Sequence, residues 1–220
     1  MTPANESPSE INQRHLMVEY QLRRQGIHDE RVLEIMAQTP RHLFIDSSNQ
    51  HQAYADHPVS IGQGQTISQP YIVGLMTEKL DVRPEHHVLE IGTGCGYQTA
   101  ILAQLARQVY SIELLEELSL HGRTNVEALG ISNVEYYIGN GRNGWPREHT
   151  AQPATGHFDR ILVAAATETI PPALVEQLTE GGKIVIPLGP LDSQKLILAQ
   201  KQNSAIKETL LCYCRFVELK

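Results

Sequence analysis

Residues 88–100 read VLEIGTGCGYQTA. A short apolar run is followed by glycines at positions 92, 94 and 96, and then by a segment from Tyr97 onward that is typical of a helix. Glycine allows a sharp turn and lets the backbone approach a ligand closely. The order of strand, glycine turn and helix therefore predicts a ligand site at the carboxyl edge of a parallel sheet, beside a helix N-terminus.

An acidic residue after the next predicted strand indicates an adenosine-containing ligand. Glu113 follows Gly92 by about 20 residues, the spacing at which a carboxylate holds ribose hydroxyls in Rossmann-type sites. A dinucleotide site would have its third glycine at the position of Tyr97, but here that glycine is Gly96. Glu90, at the end of its strand, would repel a pyrophosphate but suits a cation. S-adenosylmethionine carries an amino group and a sulfonium, so the pattern favours this methyl donor over NAD.

Strands and helices alternate along the rest of the chain, which is typical of a parallel sheet with helices on both faces. The predicted strands are 87–91, 108–112, 134–138, 159–164, 183–187, 195–199 and 208–217, and the predicted helices between them are 71–80, 97–106, 115–129 and 172–178. The last two strands follow each other in hairpin order, which adds an antiparallel edge. The fold class predicted is α/β, a doubly wound mixed sheet of seven strands.

The N-terminal part has a different pattern. Helices are predicted over 7–26 and 29–37, and residues 41–69 form an irregular stretch rich in Gly, Ser, Gln and His. Loops of this length inside compact domains are usually functional or disordered, and the apolar residues within this one favour a function. We therefore expect residues 1–69 to supply N-terminal helices and an active-site loop, packed on a core of residues 70–220.

Composition limits the classes of function. The chain has 220 residues, 41% of them hydrophobic, with a net charge of -7. That charge argues against a nucleic-acid partner, since phosphate binding needs a basic surface. The first seven residues lack the features of a secretory signal, and the longest apolar run, 161–166, is too short for a membrane span. Three cysteines and scattered histidines give neither a disulfide framework nor metal-ligand spacing. We expect a cytoplasmic protein with no metal and no membrane partner.

Several segments resemble the protein-L-isoaspartate O-methyltransferases, and the resemblance covers about residues 23–219. The matching segments are the P-R-x-x-F block at 39–45, A-Y-A-D at 53–56, the signature loop at 61–71, the glycine loop at 88–100 and the later core strands between 158 and 189. The element T-I-S-x-P at 66–70 is the specific one, because many methyltransferases share the glycine loop. The resemblance implies a Rossmann-like class I fold that uses S-adenosylmethionine.

The resemblance also implies an activity and a set of site residues. The family transfers the methyl group of S-adenosylmethionine to the free α-carboxylate of an isoaspartyl residue in a damaged protein, and the ester then closes to a succinimide that hydrolyses partly to aspartate. The catalytic serine corresponds to Ser68, and the substrate loop to Ala164, Ala165 and Ala166. The cofactor residues implied are Thr66, Ile67, Gln69, Glu90, Gly92, Thr93, Gly94, Gly96, Gln98, Thr99, Glu113, Asn140 and Gly141.

Two departures from the family pattern leave more than one function open. The usual G-D-G turn after the third core strand reads G-N-G here, with Asn140 at its centre, and the usual F-V-P-L near the end has Glu218 in place of proline. Loss of the charge at Asn140 allows a homologue that binds cofactor without turnover. A methyltransferase with another acceptor, such as a small molecule or RNA, is a second possibility, and a nicotinamide dehydrogenase is a third. Ser68 itself could instead cap the helix that opens at Pro70.

Overall fold

The computed structural model describes residues 6–149, 151, 153 and 156–220. Residues 1–5, on which part of the secretory-signal prediction rests, lie outside the described residues. The described part of the chain contains no helix with the length and apolar composition needed to cross a membrane.

A seven-stranded sheet forms the centre of the molecule, with strand order β5-β4-β3-β6-β7-β8-β9, and a two-stranded hairpin of β1 and β2 lies apart from it. The strands are β1 Val59–Ser60, β2 Thr66–Ile67, β3 His87–Ile91, β4 Gln108–Glu113, β5 Val134–Ile138, β6 Phe158–Val163, β7 Leu178–Leu188, β8 Gln194–Gln202 and β9 Ala205–Cys214. Strands β3 to β7 are parallel, and β8 and β9 are antiparallel. The mixed sheet predicted from the sequence is confirmed.

Helices cover both faces of the sheet. They are α1 Pro8–Met17, α2 Glu30–Gln38, α3 Pro70–Leu80, α4 Tyr97–Leu105, α5 Glu116–Ala128 and α6 Pro172–Glu176. One apolar cluster contains residues of the five helices α1–α5 and Val88 of β3. A second cluster contains Leu174 of α6 together with Leu89 and Ile91 of the same strand. Successive side chains of a strand point to opposite faces, so β3 contributes to both clusters. This arrangement is the doubly wound α/β fold.

The N-terminal segment from Pro8 to Gln25 is one continuous helical rod that changes from α to π to 3₁₀ geometry. Ser7 and Glu10 form a capping box at the start of α1. The chain continues through a π-helical turn, Val18–Leu22, and a 3₁₀ turn, Arg23–Gln25, and ends at Gly26 with a φ of 97°. The predicted extent is therefore right, but the regular helix stops early. Leu22 is fully buried in the same apolar cluster as α3 and the sheet.

Strands β7 and β9 differ most from their predicted bounds: β7 begins at Leu178, five residues before the predicted 183, and β9 ends early. The last strand was predicted over 208–217, but β9 ends at Cys214. The side-chain amide of Gln194 bonds both the N–H and the carbonyl of Phe216. The chain then leaves β9, and the Ala166 N–H and carbonyl bond Val217 and Leu219 at 2.7 Å. Apolar alternation extends through both segments, so the pattern alone could not locate this crossing.

Candidate active site

A cavity of about 340 Å³ opens at the carboxyl ends of β3, β4 and β6. It is lined chiefly by residues 65–69, 91–95, 112–115, 164–165 and 213–220. The chain winds outward from β3 to β5, then returns to place β6 on the other side of β3. Ligands of open α/β sheets bind at such a reversal of strand order, and this cavity has the size of a small-molecule site.

The glycine loop between β3 and α4 forms the floor of the cavity. Gly92, Gly94 and Gly96 have φ values of 96°, 53° and 89°, a region that glycine enters without strain. A Cβ on Gly96 would lie 2.5 Å from the Gly122 carbonyl oxygen of α5. Gly92 and Gly94 line the cavity, whereas Gly96 lets the loop pack on α5.

Glu113 joins the end of β4 to the glycine loop. One carboxylate oxygen accepts the Gly94 N–H at 2.9 Å, and the other accepts the N–H groups of Leu114 and Leu115 at 2.9 and 3.1 Å. A carboxylate offers about four acceptor positions, so after these three bonds about one remains for a ribose hydroxyl. Glu113 lines the cavity, and its contact with a ribose stays a prediction.

Glu90 points away from the cavity. Strand alternation directs its side chain towards α4, where Oε2 accepts hydrogen bonds from Thr99 and Ser111, both at 2.6 Å. Burial raises the pKa of this fully buried carboxyl to about 7. The Ser111 hydroxyl also bonds Thr93 at 2.6 Å. Because Thr93 lines the cavity, the hydrogen bonds of the described residues connect Glu90 to the site through Ser111 and Thr93.

Ser68 lies just before α3. The residue that caps α3 is Gln69, and its side chain makes no capping hydrogen bond. The interpretation of Ser68 as a helix cap is therefore wrong. Within the described residues, the Ser68 hydroxyl has no hydrogen-bond partner, and Ser68 lines the cavity. Gln69 instead donates to the Asp56 carboxylate at 2.9 Å.

The remaining predicted residues divide by position. The cavity is lined by Thr66, Ile67, Ser68, Gln69, Gly92, Thr93, Gly94, Gln98, Glu113, Gly141, Ala164 and Ala165. The residues that the structure does not bring to its surface are Glu90, Gly96, Thr99, Asn140 and Ala166. Asn140 is exposed, and its side chain accepts the Arg142 N–H at 2.9 Å. Gly141 has no room for a side chain, since a Cβ would lie 2.2 Å from Ile91.

The sequence interpretation missed one wall of the cavity. Residues 213–220 line it, although the sequence assigned part of this segment to a strand. The Arg142 guanidinium fixes the segment by donating to the Leu219 carbonyl and, at 3.1 Å, to the Thr167 hydroxyl. The F-V-E-L motif was the available signal, but it indicated only packing.

The sequence matches the family described as Protein-L-isoaspartate(D-aspartate) O-methyltransferase (PCMT) over residues 12–220. The chain belongs to this family. It is 47% identical over 206 residues to protein-L-isoaspartate O-methyltransferase 1 of Syntrophobacter fumaroxidans, covering 94% of this chain and 93% of that protein. It is 51% identical over 193 residues to a protein-L-isoaspartate O-methyltransferase of a Synechococcus species, covering 87% and 76% of the two chains.

Solved structures give the same result for the fold. A crystal structure from Plasmodium falciparum, described as a beta-aspartate methyltransferase (PCMT) in complex with S-adenosyl-L-homocysteine, has a TM-score of 0.80 at 28% identity. The alignment covers 94% of this chain and 98% of that chain. The fold is that of a Rossmann-like class I methyltransferase. As a PCMT family member, the chain is an S-adenosylmethionine-dependent O-methyltransferase of isoaspartyl residues, which excludes a nicotinamide dehydrogenase.

Proposed function

We propose that Ser68 is the catalytic residue and that it holds the free α-carboxylate of an L-isoaspartyl residue for methylation. The observation that supports this proposal is the position of the Ser68 hydroxyl, which has no hydrogen-bond partner among the described residues. Ser68 lines the same cavity as Gly92, Gly94 and Glu113, so an acceptor beside Ser68 faces a ligand on the glycine loop. Ala164 and Ala165 follow the end of β6 and line the same cavity, and together with Ala166 they form the proposed substrate loop.

The cavity fits S-adenosylmethionine. Glu113 has an acceptor position left for a ribose hydroxyl, and the glycine loop gives the close backbone approach that such a ligand needs. We assign direct cofactor contacts to the cavity-lining members of the predicted set, namely Thr66, Ile67, Gln69, Gly92, Thr93, Gly94, Gln98, Glu113 and Gly141. Glu90, Gly96 and Thr99 support the loop from behind, and Asn140 holds the turn that carries Gly141. The bound group supplies a methyl carbon activated by a sulfonium.

The chemistry needs positioning more than proton transfer. An α-carboxyl titrates near about 3.5, so the acceptor is already ionised at neutral pH and needs no general base. One carboxylate oxygen forms the bond to the methyl carbon, while the electron pair of the broken carbon–sulfur bond stays on sulfur. Opposite charges are neutralised in this step, so a site that excludes water favours it. The Ser68 hydroxyl and neighbouring N–H groups then act by holding the oxygen in line.

The partners we propose are damaged proteins and peptides that carry isoaspartyl residues, in the cytoplasm. The net charge of -7 supports a protein partner over a nucleic acid or an anionic membrane. We also propose a division of labour along the chain. Residues 1–69 supply the acceptor side of the site, and residues 70–220 supply the cofactor side.

The test is a methyl-transfer assay with two peptides that differ only in an aspartyl or an isoaspartyl linkage. Purified protein and labelled S-adenosylmethionine should give base-labile label on the isoaspartyl peptide alone. Ser68→Ala should lower kcat about ten- to a hundredfold, the range expected when an in-line contact is lost. Ser60→Ala is the matched control, because Ser60 is exposed on β1 and does not line the cavity.

Each result has a distinct meaning. Label on neither peptide, with cofactor still bound, would refute the repair function and favour another acceptor or a homologue without turnover. If Ser68→Ala labels the isoaspartyl peptide at the wild-type rate, the repair function stands and the catalytic role of Ser68 is refuted.

A further inference from the structure

Arg41 is the largest completely buried side chain of the molecule's described part. It lies in a 3₁₀ turn, Arg41–Phe44, at the start of residues 41–69, which we call the signature-loop region. Among the described residues no carboxylate lies within ion-pair distance of its guanidinium. Burying an uncompensated cation is costly, and burial lowers the pKa of this side chain. Packing alone does not require a cation at this position, since an apolar side chain of similar volume would avoid the cost.

Backbone carbonyls compensate the guanidinium in part, while its buried Nη1 has no hydrogen-bond partner among the described residues. Its Nε donates to the Ala53 carbonyl, and its Nη2 donates to the Ser68 carbonyl, both at 2.7 Å. Its Cζ lies 5.0 Å from the centre of the Tyr97 ring, a distance typical of a cation–π contact. These three residues belong to different parts of the site. Ala53 lies in the loop, Ser68 precedes α3, and Tyr97 begins α4 directly after the glycine loop.

The contact with Ser68 has a direct geometric consequence. Fixing the carbonyl of a residue fixes the peptide plane that follows it and restricts the direction of its side chain. Ser68 lies between β2 and α3, outside any regular hydrogen-bond ladder. Its hydroxyl has no partner in the described structure, so the backbone contact is what orients it.

We propose that Arg41 is the positioning residue of the active site: its guanidinium holds the Ser68 carbonyl against the loop and α4, and so aims the Ser68 hydroxyl into the cavity. The inference rests on the proposed function of Ser68. Arginine suits this task because its planar fork donates in fixed directions, whereas the lysine ammonium is a flexible point charge. Arg41→Lys therefore keeps the charge and loses the fork.

The experiment compares Arg41→Lys with Arg160→Lys. Arg160 is a matched control because its mostly buried guanidinium also binds backbone carbonyls, those of Asp81 and Asp159, near the opposite end of the sheet. Arg41→Lys should lower kcat on the isoaspartyl peptide about ten- to a hundredfold. Binding of S-adenosylhomocysteine should change less than about threefold, because Arg41 does not line the cavity. Arg160→Lys should leave kcat within about twofold.

A double-mutant cycle separates positioning from general destabilisation. In the Ser68→Ala background, Arg41→Lys should lower kcat less than about threefold further, because residues that act through one group are not additive. If Arg41→Lys does not fold, the same measurements apply to Arg41→Gln, which carries no charge. Additive effects, or parallel losses of kcat and S-adenosylhomocysteine binding, would overturn the inference. A wild-type protein without activity on the isoaspartyl peptide would instead overturn the proposed function.

Discussion

The glycine loop and the signature-loop region, residues 41–69, both line the cavity and are held in place in different ways. The glycine loop is fixed through its backbone, by the positive φ angles of its glycines and by the hydrogen bonds of their N–H groups. Gly92 donates to the Ile112 carbonyl at 2.8 Å, and Gly94 donates to Glu113. The signature-loop region is joined by side chains instead, since Arg41 connects Ala53 to Ser68 and Gln69 binds Asp56. The glycine loop can be recognised from a motif, because the spacing of its glycines marks its backbone conformation. The side-chain contacts of the signature-loop region leave no such motif in the sequence.

The glycines of the two regions show the same contrast. Gly62 and Gly64 of the β1–β2 turn have φ values of 85° and 71°, but a Cβ at either position would meet nothing within 4 Å. Gly96 has a similar φ, and its Cβ would collide with the α5 backbone at Gly122. Glycine serves backbone conformation alone in one region, and both conformation and close packing in the other.

The largest expected effect is that of Gly96→Ala. We expect a loss of about 4 kcal/mol in the free energy of unfolding, from left-handed strain plus overpacking against a backbone that cannot move aside. Gly64→Ala has the strain without the collision and should cost about 1 kcal/mol. Urea unfolding of both variants measures the difference. Equal losses would mean that the two loops use glycine for the same reason.

Glu90→Gln tests how the glycine loop is supported from behind. The native pKa of about 7 lies above the ordinary value of 4.5 for this side chain, so between these pH values the native state holds a proton that the unfolded chain has lost. Stability therefore falls as pH rises through this window, by on the order of 3 kcal/mol. Glu90→Gln should remove this loss and be the more stable form at pH 8. Unfolding curves at pH 5 and pH 8 give the change in the free energy of unfolding for each protein. An equal change in the wild type and in Glu90→Gln would contradict the prediction.

The smallest expected effect is that of Asn140→Asp, which restores the residue usual in the family. Asn140 is exposed, and its side-chain oxygen already accepts the Arg142 N–H; an aspartate can keep that bond. A charge at a solvent-exposed position contributes little, so S-adenosylhomocysteine should bind at most about threefold more tightly. Calorimetric titration of both proteins measures this. A tenfold gain would assign Asn140 a direct contact with the ligand and support a homologue with weakened cofactor binding.

Prediction from sequence succeeded where local patterns control structure. Both β3 and β5 have the predicted bounds, and the capping preferences at Ser7 and Gly26 locate the start and end of the first helical rod. Prediction from sequence failed where one sequence pattern is compatible with two structures. Apolar alternation continues past Cys214, so the crossing of residues 215–219 to the loop after β6 was hidden. A serine before Pro70 fits both a helix cap and a cavity wall, and the φ and ψ angles of Gln69 decided between them.

The sequence by itself determined the sheet, the glycine loop and the family, because these depend on residue spacing and on backbone rules that act over a few residues. The tertiary structure decided which side chains share the cavity. It turned Glu90 towards α4, brought residues 213–220 to the cavity wall and placed the buried Arg41 beneath Ser68. The physical reason is that these contacts join residues far apart in the chain. Their partners are selected by burial and hydrogen bonding in the folded molecule, which no local motif encodes.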